Sequence, residues 1–303
     1  MSLPVAQRIL VMGCSRSGTT LLQSMLASHS RVHTFPETGV FLKAFGMRST
    51  VLPWVHLGLT AGKERRALER LSASQSEAPG QLPELPPRRY RLSRSLAEVV
   101  SFLDRLARAQ GKDIWVEKTP RHVFHAKRIR RSIPGGLCIH MVRDGRDVVA
   151  SIVDRGNRFP ERFPRQSDPG YGIRQWNRSL RATEAAIKDP GHIVVFYESL
   201  VEGVEATLKT LCGIAGLEFE EAMLTPADRS SFTSPDEEWK HQVNAPVHAA
   251  TSKFEKLFDE ATRLWITRRL ELGIFERIRR HASELSGGVL FSGEGREEDP
   301  HPG

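Results

Sequence analysis

The sequence predicts an α/β protein: a central parallel β-sheet flanked by helices. Three observations carry that expectation. Four runs rich in Val and Ile, each six or seven residues long, read as strands buried on both faces. Helical patterns separate them, as the crossovers of a parallel sheet require. A glycine-bearing turn after the first run opens directly into a helix, the arrangement that builds an anion site at a strand end.

Taken in order, Arg8–Gly13 (RILVMG) forms the first strand and Thr19–Ser28 the helix after it. Residues 46–112 are helical in composition and read as an insertion or an acceptor-side region, with a loop or turn at the proline-rich Pro79–Pro87. Asp113–Lys118 (DIWVEK) is the second strand, followed by a helix over Pro120–Arg131. Leu137–Arg143 (LCIHMVR) is the third, leading into a helix over Asp147–Arg155. Residues 156–172 hold three prolines, three glycines and three aromatics, the composition of a surface loop that lines a pocket. His192–Glu198 (HIVVFYE) is the fourth strand, with a helix over Glu202–Ala215 behind it. From residue 287 to 303 Gly, Glu, Asp and Pro take over, so a flexible tail is expected after a single domain over 1–286.

Composition narrows the function. At 303 residues, 39% hydrophobic and 26% charged, the chain can bury a large core. Its net charge of +8 suits an anionic partner. Arg is spread along the chain rather than gathered in one patch or arm, which argues against nucleic acid. No apolar run approaches the roughly 20 residues of a membrane span, and Ile9–Met12 is too short for a secretory signal. Cys14, Cys138 and Cys212 form neither an even disulfide set nor a metal cluster; they read as small buried hydrophobes in a reducing cytoplasm. No HExxH, CxxC or DxDxDG motif is present, and no metal is expected.

The segment Gly13-Cys-Ser15-Arg16-Ser17-Gly18-Thr19-Thr20 has the glycine spacing of a nucleotide phosphate loop. Thr19 stands where nucleotide hydrolases need Lys for their β- and γ-phosphates, and the cation comes earlier, as Arg16. In an open parallel sheet, ligands bind beyond the carboxyl ends of the strands. Gly13, Lys118, Arg143 and Tyr197 all fall at or near those ends. Two cations, an anion loop and a phenol are thereby expected on one edge.

The loop with its Leu-Leu continuation resembles the 5′-phosphosulfate loop of sulfotransferases that use 3′-phosphoadenylyl sulfate (PAPS). Arg143 with Ser151 eight residues on is similar to that family's 3′-phosphate motif. Glu117-Lys118-Thr119-Pro120 resembles its Lys-x-Pro turn, and Tyr197-Glu198-Ser199-Leu200 its Tyr-Glu-Asp-Leu segment, with Ser in place of Asp. The resemblance covers roughly residues 8–45, 113–156 and 190–260. It implies the family's P-loop-like fold and transfer of a sulfuryl group from PAPS to a hydroxyl acceptor, which the sequence leaves open among tyrosyl, sugar, lipid and small alcohol.

The same resemblance implies residue roles. Ser15, Arg16, Ser17, Gly18, Thr19 and Thr20 would hold the 5′ side of the cofactor. Arg143, Ser151 and Arg155 would hold its 3′-phosphate, with Tyr197 beside them. Lys118 and Arg16 would meet charge on the bridging oxygen. Glu37, 21 residues after Arg16, matches the spacing of the catalytic base of protein-tyrosine sulfotransferases. His122 and His125 are rival bases, because other branches use histidine. Ser252, with Thr251 as the other candidate, would close over the cofactor. Arg146 reads as a solvated or salt-bridged charge, Glu117 as a possible partner of Lys118, and Trp176 and Phe163 as core or acceptor-stacking residues. A phosphate-loop kinase or NTPase and a non-catalytic nucleotide binder are the competing readings.

Overall fold

A computed structural model describes residues 6–45, 61–73, 84–85, 92–225, 227, 253–285 and 289–291. Its sheet has six strands among the described residues: β1 (Gln7–Gly13), β2 (Val32–Thr34), β3 (Ile114–Lys118), β4 (Leu137–Val142), β5 (His192–Phe196) and β6 (Val289–Phe291). Their order is β2-β3-β1-β4-β5-β6. The first five are parallel, and β6 runs antiparallel to β5. The expected parallel sheet is therefore present, with one antiparallel edge.

Period-two alternation divides the core between the two faces. Leu10 and Met12 of β1 pack with Phe35, Phe102, Trp115 and Cys138. Ile9 and Val11 turn the other way, onto Leu22, Val116, Ile139 and Val195. A third cluster joins Val142, Val194 and Phe196 to Trp176, Ile266 and Phe275. Because both faces are covered, the middles of the strands are mostly apolar, with His140 of β4 a buried polar exception.

Two predicted strands end where the sequence placed them, at Gly13 and Lys118, and the other two end one and two residues early, at Val142 and Phe196. β5 stops at Phe196, and Tyr197 begins a helix over Tyr197–Glu202, which Gly203 separates from the next over Val204–Ala215. Pro120–His125 is a 3₁₀ helix ahead of the α-helix over Ala126–Ser132. The helix over Gly145–Arg158 runs three residues past its predicted end, and Pro169–Ala186 forms a further helix that the sequence reading missed. Its start was marked: Asp168 accepts hydrogen bonds from the Gly170 and Tyr171 amides at 2.8 and 3.1 Å, and Pro169 occupies the first helical position. β2 and β6 were missed too. Each has only three residues, too few to show a period, and β6 lies in the stretch expected to be tail.

Register brings the functional positions to one edge. Val11 pairs with Lys118, Gly13 with Met141, and Val142 with Phe196. Arg143 and Tyr197 each follow the last residue of their strand, and the loop 14–18 leaves the end of β1 between β3 and β4. Connections from β1 run towards β3 and those from β4 towards β5, so the loop sits where the chain's direction of travel reverses.

Candidate active site

The loop is built from backbone that few residues tolerate. Gly13 has φ +144°, and a Cβ there would come within 2.3 Å of the Met141 carbonyl oxygen. Gly18 has φ +91°, and its Cβ would lie 2.4 Å from the Tyr197 ring. Arg16, at φ +76°, is the one described non-glycine residue with positive φ. Such a conformation is disfavoured for an L side chain and persists only where its surroundings hold it. Here the Arg16 Nε donates to Ser151 Oγ at 3.0 Å, which ties the loop to the Gly145–Arg158 helix. Helix α1 (Thr19–Ala27) starts at once, with Gly18 as its N-cap and no side chain capping it.

Positive charge is concentrated around this loop. Burial, together with the neighbouring Arg155, Arg143 and Arg158, lowers the Arg16 pKa to about 10, with only Asp154 acting the other way. A guanidinium at pKa 10 is still charged at neutral pH, so several like charges share a partly enclosed space. Arg143 lies 4.1 Å above the centre of the Tyr197 ring and 3.2 Å from Asp147. Its Nε is buried and has no hydrogen-bond partner among the described residues, and the same holds for Ser17 Oγ. Orphaned donors of this kind are rare in native interiors. Two of them beside crowded guanidinium groups fit the phosphates of a nucleotide.

The Arg143 backbone is held by Trp176, whose indole Nε1 donates to the Arg143 carbonyl at 2.9 Å. Trp176 is 2% exposed, so it fills the core rather than stacking on an acceptor. Arg146 pairs with Asp144 at 2.5 Å on the surface, as expected of a salt-bridged charge. Arg155 is engaged beyond its expected 3′-phosphate role: its Nε donates to Gln166 Oε1 at 2.9 Å, and its guanidinium lies 4.6 Å over the Phe163 ring. Burial lowers its pKa, while Tyr171, Glu37 and Cys14 act to raise it. The 159–168 segment is thus packed onto Arg155.

At the end of β3, Lys118 Nζ donates to Glu37 Oε2 at 3.0 Å. Lys118 is buried, while the Glu37 side chain keeps 32% of its exposure and stands at the rim. Glu117 is not the partner of Lys118. Adjacent strand residues point to opposite faces, and the Glu117 carboxylate is fully buried on the other side. Its Oε1 accepts from the hydroxyls of Thr38 at 2.7 Å and Thr119 at 2.6 Å. Its Oε2 lies 3.0 Å from His122 Nδ1. Burial works against the charged form of Glu117, but His122 and the two hydroxyls together hold its pKa below the usual carboxylate range.

That contact places His122 in the core, edge-on to Phe41; His125 is buried beside it, stacked on Phe45. Neither ring reaches the rim as Glu37 does. Thr19 is buried at the start of α1, and Ser15 and Thr20 are half-buried around it. Ser252 and Thr251 lie outside the described residues. Directly after them, Lys253 Nζ donates to Asp154 Oδ2 at 2.7 Å, on the helix that carries Ser151 and Arg155. The three cysteines are buried and free as expected, with burial pushing the Cys14 and Cys138 thiols up to about 12. No helix among the described residues is long and apolar enough to cross a membrane.

The sequence reading missed the Glu117 cluster, the packing of Phe163 and Gln166 on Arg155, and the Trp176 bond to Arg143. Strand alternation was the one signal that could have separated Glu117 from Lys118.

Comparison with known proteins bears on this edge of the sheet. A Caenorhabditis elegans protein-tyrosine sulfotransferase A is 24% identical over 227 residues, which are 71% of this chain and 51% of that protein. A Caenorhabditis briggsae protein, whose name assigns it provisionally to the protein-tyrosine sulfotransferases, is 26% identical over 226 residues, 72% of this chain and 68% of its own. The chain thus spans about half of one of these relatives and about two thirds of the other. The sulfotransferase domain of the Synechococcus PCC 7002 olefin synthase shares the fold, with a TM-score of 0.53 at 18% identity over 94% of this chain and 98% of that one. The model of the sulfotransferase family matches residues 8–221, a span that holds the glycine loop, the Lys118–Glu37 pair, Arg143, Ser151 and Tyr197. With most of its length inside that match, the chain belongs to the sulfotransferase family and is an enzyme of sulfuryl transfer.

Proposed function

We propose that this sulfotransferase takes its sulfuryl group from PAPS and delivers it to a hydroxyl acceptor, with the residues of the β1, β3 and β4 ends acting as follows. When bound, PAPS supplies a sulfuryl group on a phosphate oxygen that can leave. Ser15, Ser17, Thr19, Thr20 and the Gly18 backbone form the cradle for the 5′ side, at a helix N-terminus that favours anions. Arg143 and Ser151 hold the 3′-phosphate, with the Tyr197 ring beneath the Arg143 guanidinium. Arg155, braced by Phe163 and Gln166, adds positive charge for the 3′-phosphate beside Arg16.

The transfer forms a bond from acceptor oxygen to sulfur and breaks the bond from sulfur to the bridging oxygen. Glu37 takes the acceptor's proton as the first bond forms. Lys118 and Arg16 meet the negative charge that grows on the bridging oxygen, a stabilisation that fixed cations give without reorganisation. Lys118 and Glu37 are suited to act together because they stand 3.0 Å apart, with the cation enclosed and the carboxylate at the rim. Ser252 is retained as the residue proposed to close over the cofactor.

The observation that carries this reading is the crowd of guanidinium groups around a glycine loop, with Arg143 Nε and Ser17 Oγ buried and without a hydrogen-bond partner among the described residues. The test is a sulfation screen over acceptor classes, followed by release of adenosine 3′,5′-bisphosphate. A tyrosyl peptide comes first, because the relatives bear that name. Tight binding of the bisphosphate in EDTA, with turnover on at least one hydroxyl, is expected. Binding of ATP that requires magnesium, in preference to the bisphosphate, would overturn the reading. We infer a cytoplasmic setting from the three free, buried thiols.

A further inference from the structure

Glu117 is a charged group in a place where the fold needs none. It lies in a five-residue strand whose positions are all buried, and it is 0% exposed itself. An apolar residue there would avoid the desolvation that a carboxylate suffers. The carboxylate is instead the centre of a laced polar cluster. Thr38 and Thr119 both donate to Glu117 Oε1, and each hydroxyl also accepts a backbone N–H: Val40 N to Thr38 Oγ1 and Gly39 N to Thr119 Oγ1, both at 3.1 Å. Lys43 Nζ closes the cluster by donating to the Thr38 carbonyl at 2.9 Å.

The two threonines are the chain neighbours of the reacting pair. Thr38 follows Glu37, and Thr119 follows Lys118. The N–H of Gly39 crosses to Thr119, so the loop that carries Glu37 and the strand end that carries Lys118 are stitched directly to each other. We infer that Glu117 is a positioning residue for sulfuryl transfer, which, through the hydroxyls of Thr38 and Thr119, fixes Glu37 and Lys118 relative to one another. This rests on the roles proposed above for Glu37 and Lys118. Placement of this kind matters because a misplacement of about 1 Å at reacting groups can lower a rate by about 10²-fold.

A second buried carboxylate provides the control. Asp104 accepts from Trp115 Nε1 at 2.8 Å and pairs with Arg8 at 2.8 Å, near the opposite ends of β1 and β3. Like Glu117 it braces β3, but to β1 and far from the rim. Asp104→Asn is therefore expected to lower the melting temperature while leaving kcat near wild type.

The test uses Thr38→Val and Thr119→Val, which keep shape and remove one hydroxyl each, with Thr38→Ser and Thr119→Ser as conservative rescues. Each Val variant is expected to lose about 10–100-fold in kcat, with the bisphosphate Kd changed less than about twofold. The Ser variants should stay within about threefold of wild type in kcat. In a Glu37→Gln background, Thr38→Val should lower kcat by less than about threefold more, because Thr38, the chain neighbour of Glu37, then has no base left to position. Val variants that keep wild-type kcat would overturn the inference. So would a Thr38→Val loss that multiplies fully with that of Glu37→Gln, or a kcat loss that Asp104→Asn reproduces at the same drop in melting temperature. Should a Val variant not fold, the Ser variant still decides: it must then fold with near-normal kcat, and a large kcat loss there overturns the inference. Full turnover by Glu37→Gln and Lys118→Ala is a different result, which removes the site roles themselves.

Discussion

Arg143 and Lys118 are both cations at strand ends, yet their surroundings suit them to different steps. Arg143 has a buried Nε without a hydrogen-bond partner among the described residues, and its ring contact with Tyr197 holds the guanidinium in place. A fixed fork of donors suits a group that is present throughout the reaction. Arg143→Ala is therefore expected to weaken adenosine 3′,5′-bisphosphate binding by about 1.5–3 kcal/mol, the range for hydrogen bonds to charged groups. Calorimetry should show almost no change for adenosine 5′-phosphosulfate, which lacks the 3′-phosphate; equal losses for both nucleotides would remove Arg143 from that role. Lys118 is buried against Glu37, and its charge matters most when negative charge develops next to it. Lys118→Ala should lower kcat strongly and leave cofactor affinity within a few fold, the pattern of a contact made in the transition state. Glu37→Gln retains reach but cannot accept a proton, so a rate loss on the order of 10²–10⁴-fold is expected in single-turnover assays. Cofactor affinity should be nearly unchanged in the same variant. Normal turnover by Glu37→Gln with an inactive His122→Ala would overturn the assignment of Glu37 as base, and full activity in both would mean that the acceptor is acidic enough to need no base.

At the scale of elements, the phosphate loop depends on two glycines for different reasons. A side chain at Gly13 would strike the Met141 carbonyl, which belongs to a central strand and cannot yield. A side chain at Gly18 would strike the Tyr197 ring, which can turn aside but would then leave Arg143. Gly13→Ala is thus expected to lower stability by at least about 2 kcal/mol, read from urea unfolding. Gly18→Ala should do less damage to stability and more to bisphosphate affinity. If the two variants lose stability equally with unchanged affinity, Tyr197 does not couple the loop to Arg143. These elements were legible in the sequence because each parallel strand writes a run of at least three apolar residues, and the loop and its cations directly follow such runs. β2 and β6, with three residues each, leave no such trace. The Pro169–Ala186 helix was obscured because its cap falls inside a stretch whose prolines and glycines read as a loop. Among the site residues, those contiguous with a motif were legible. Glu117, Thr38 and Thr119 were not, because their meaning comes from a contact across 79 residues of sequence.

The whole molecule has a feature that neither the loop nor the rim determines: a pair of histidines buried side by side in neighbouring parallel strands. His140 Nδ1 lies 3.2 Å from Thr183 Oγ1, and His140 Nε2 lies 3.0 Å from His192 Nδ1. One proton serves the contact between the two rings; with both rings protonated, two N–H groups would face each other. Burial lowers the His140 pKa well below 6.5, helped by the neighbouring His192, and burial brings His192 down to about 4. The sign follows from linkage. Between about pH 4 and 6.5 the unfolded chain binds protons at these rings that the folded chain refuses, so folding stability falls as pH falls through that window. For His192 alone the shift from 6.5 to about 4 corresponds to about 3 kcal/mol at its fullest. The carboxylates act in a lower window. Glu117, Asp113 and Asp144 are held below their usual range, and they lose their contribution only as pH falls through that range. Urea unfolding between pH 7.5 and 4.5 should therefore show stability declining before most carboxylates are protonated. The double variant His140→Leu with His192→Leu should flatten this part of the curve and leave the more acidic decline in place. A wild-type curve already flat from pH 7 to 4.5 would show that the pair is protonated as readily in the fold as outside it, contrary to its burial between the strands.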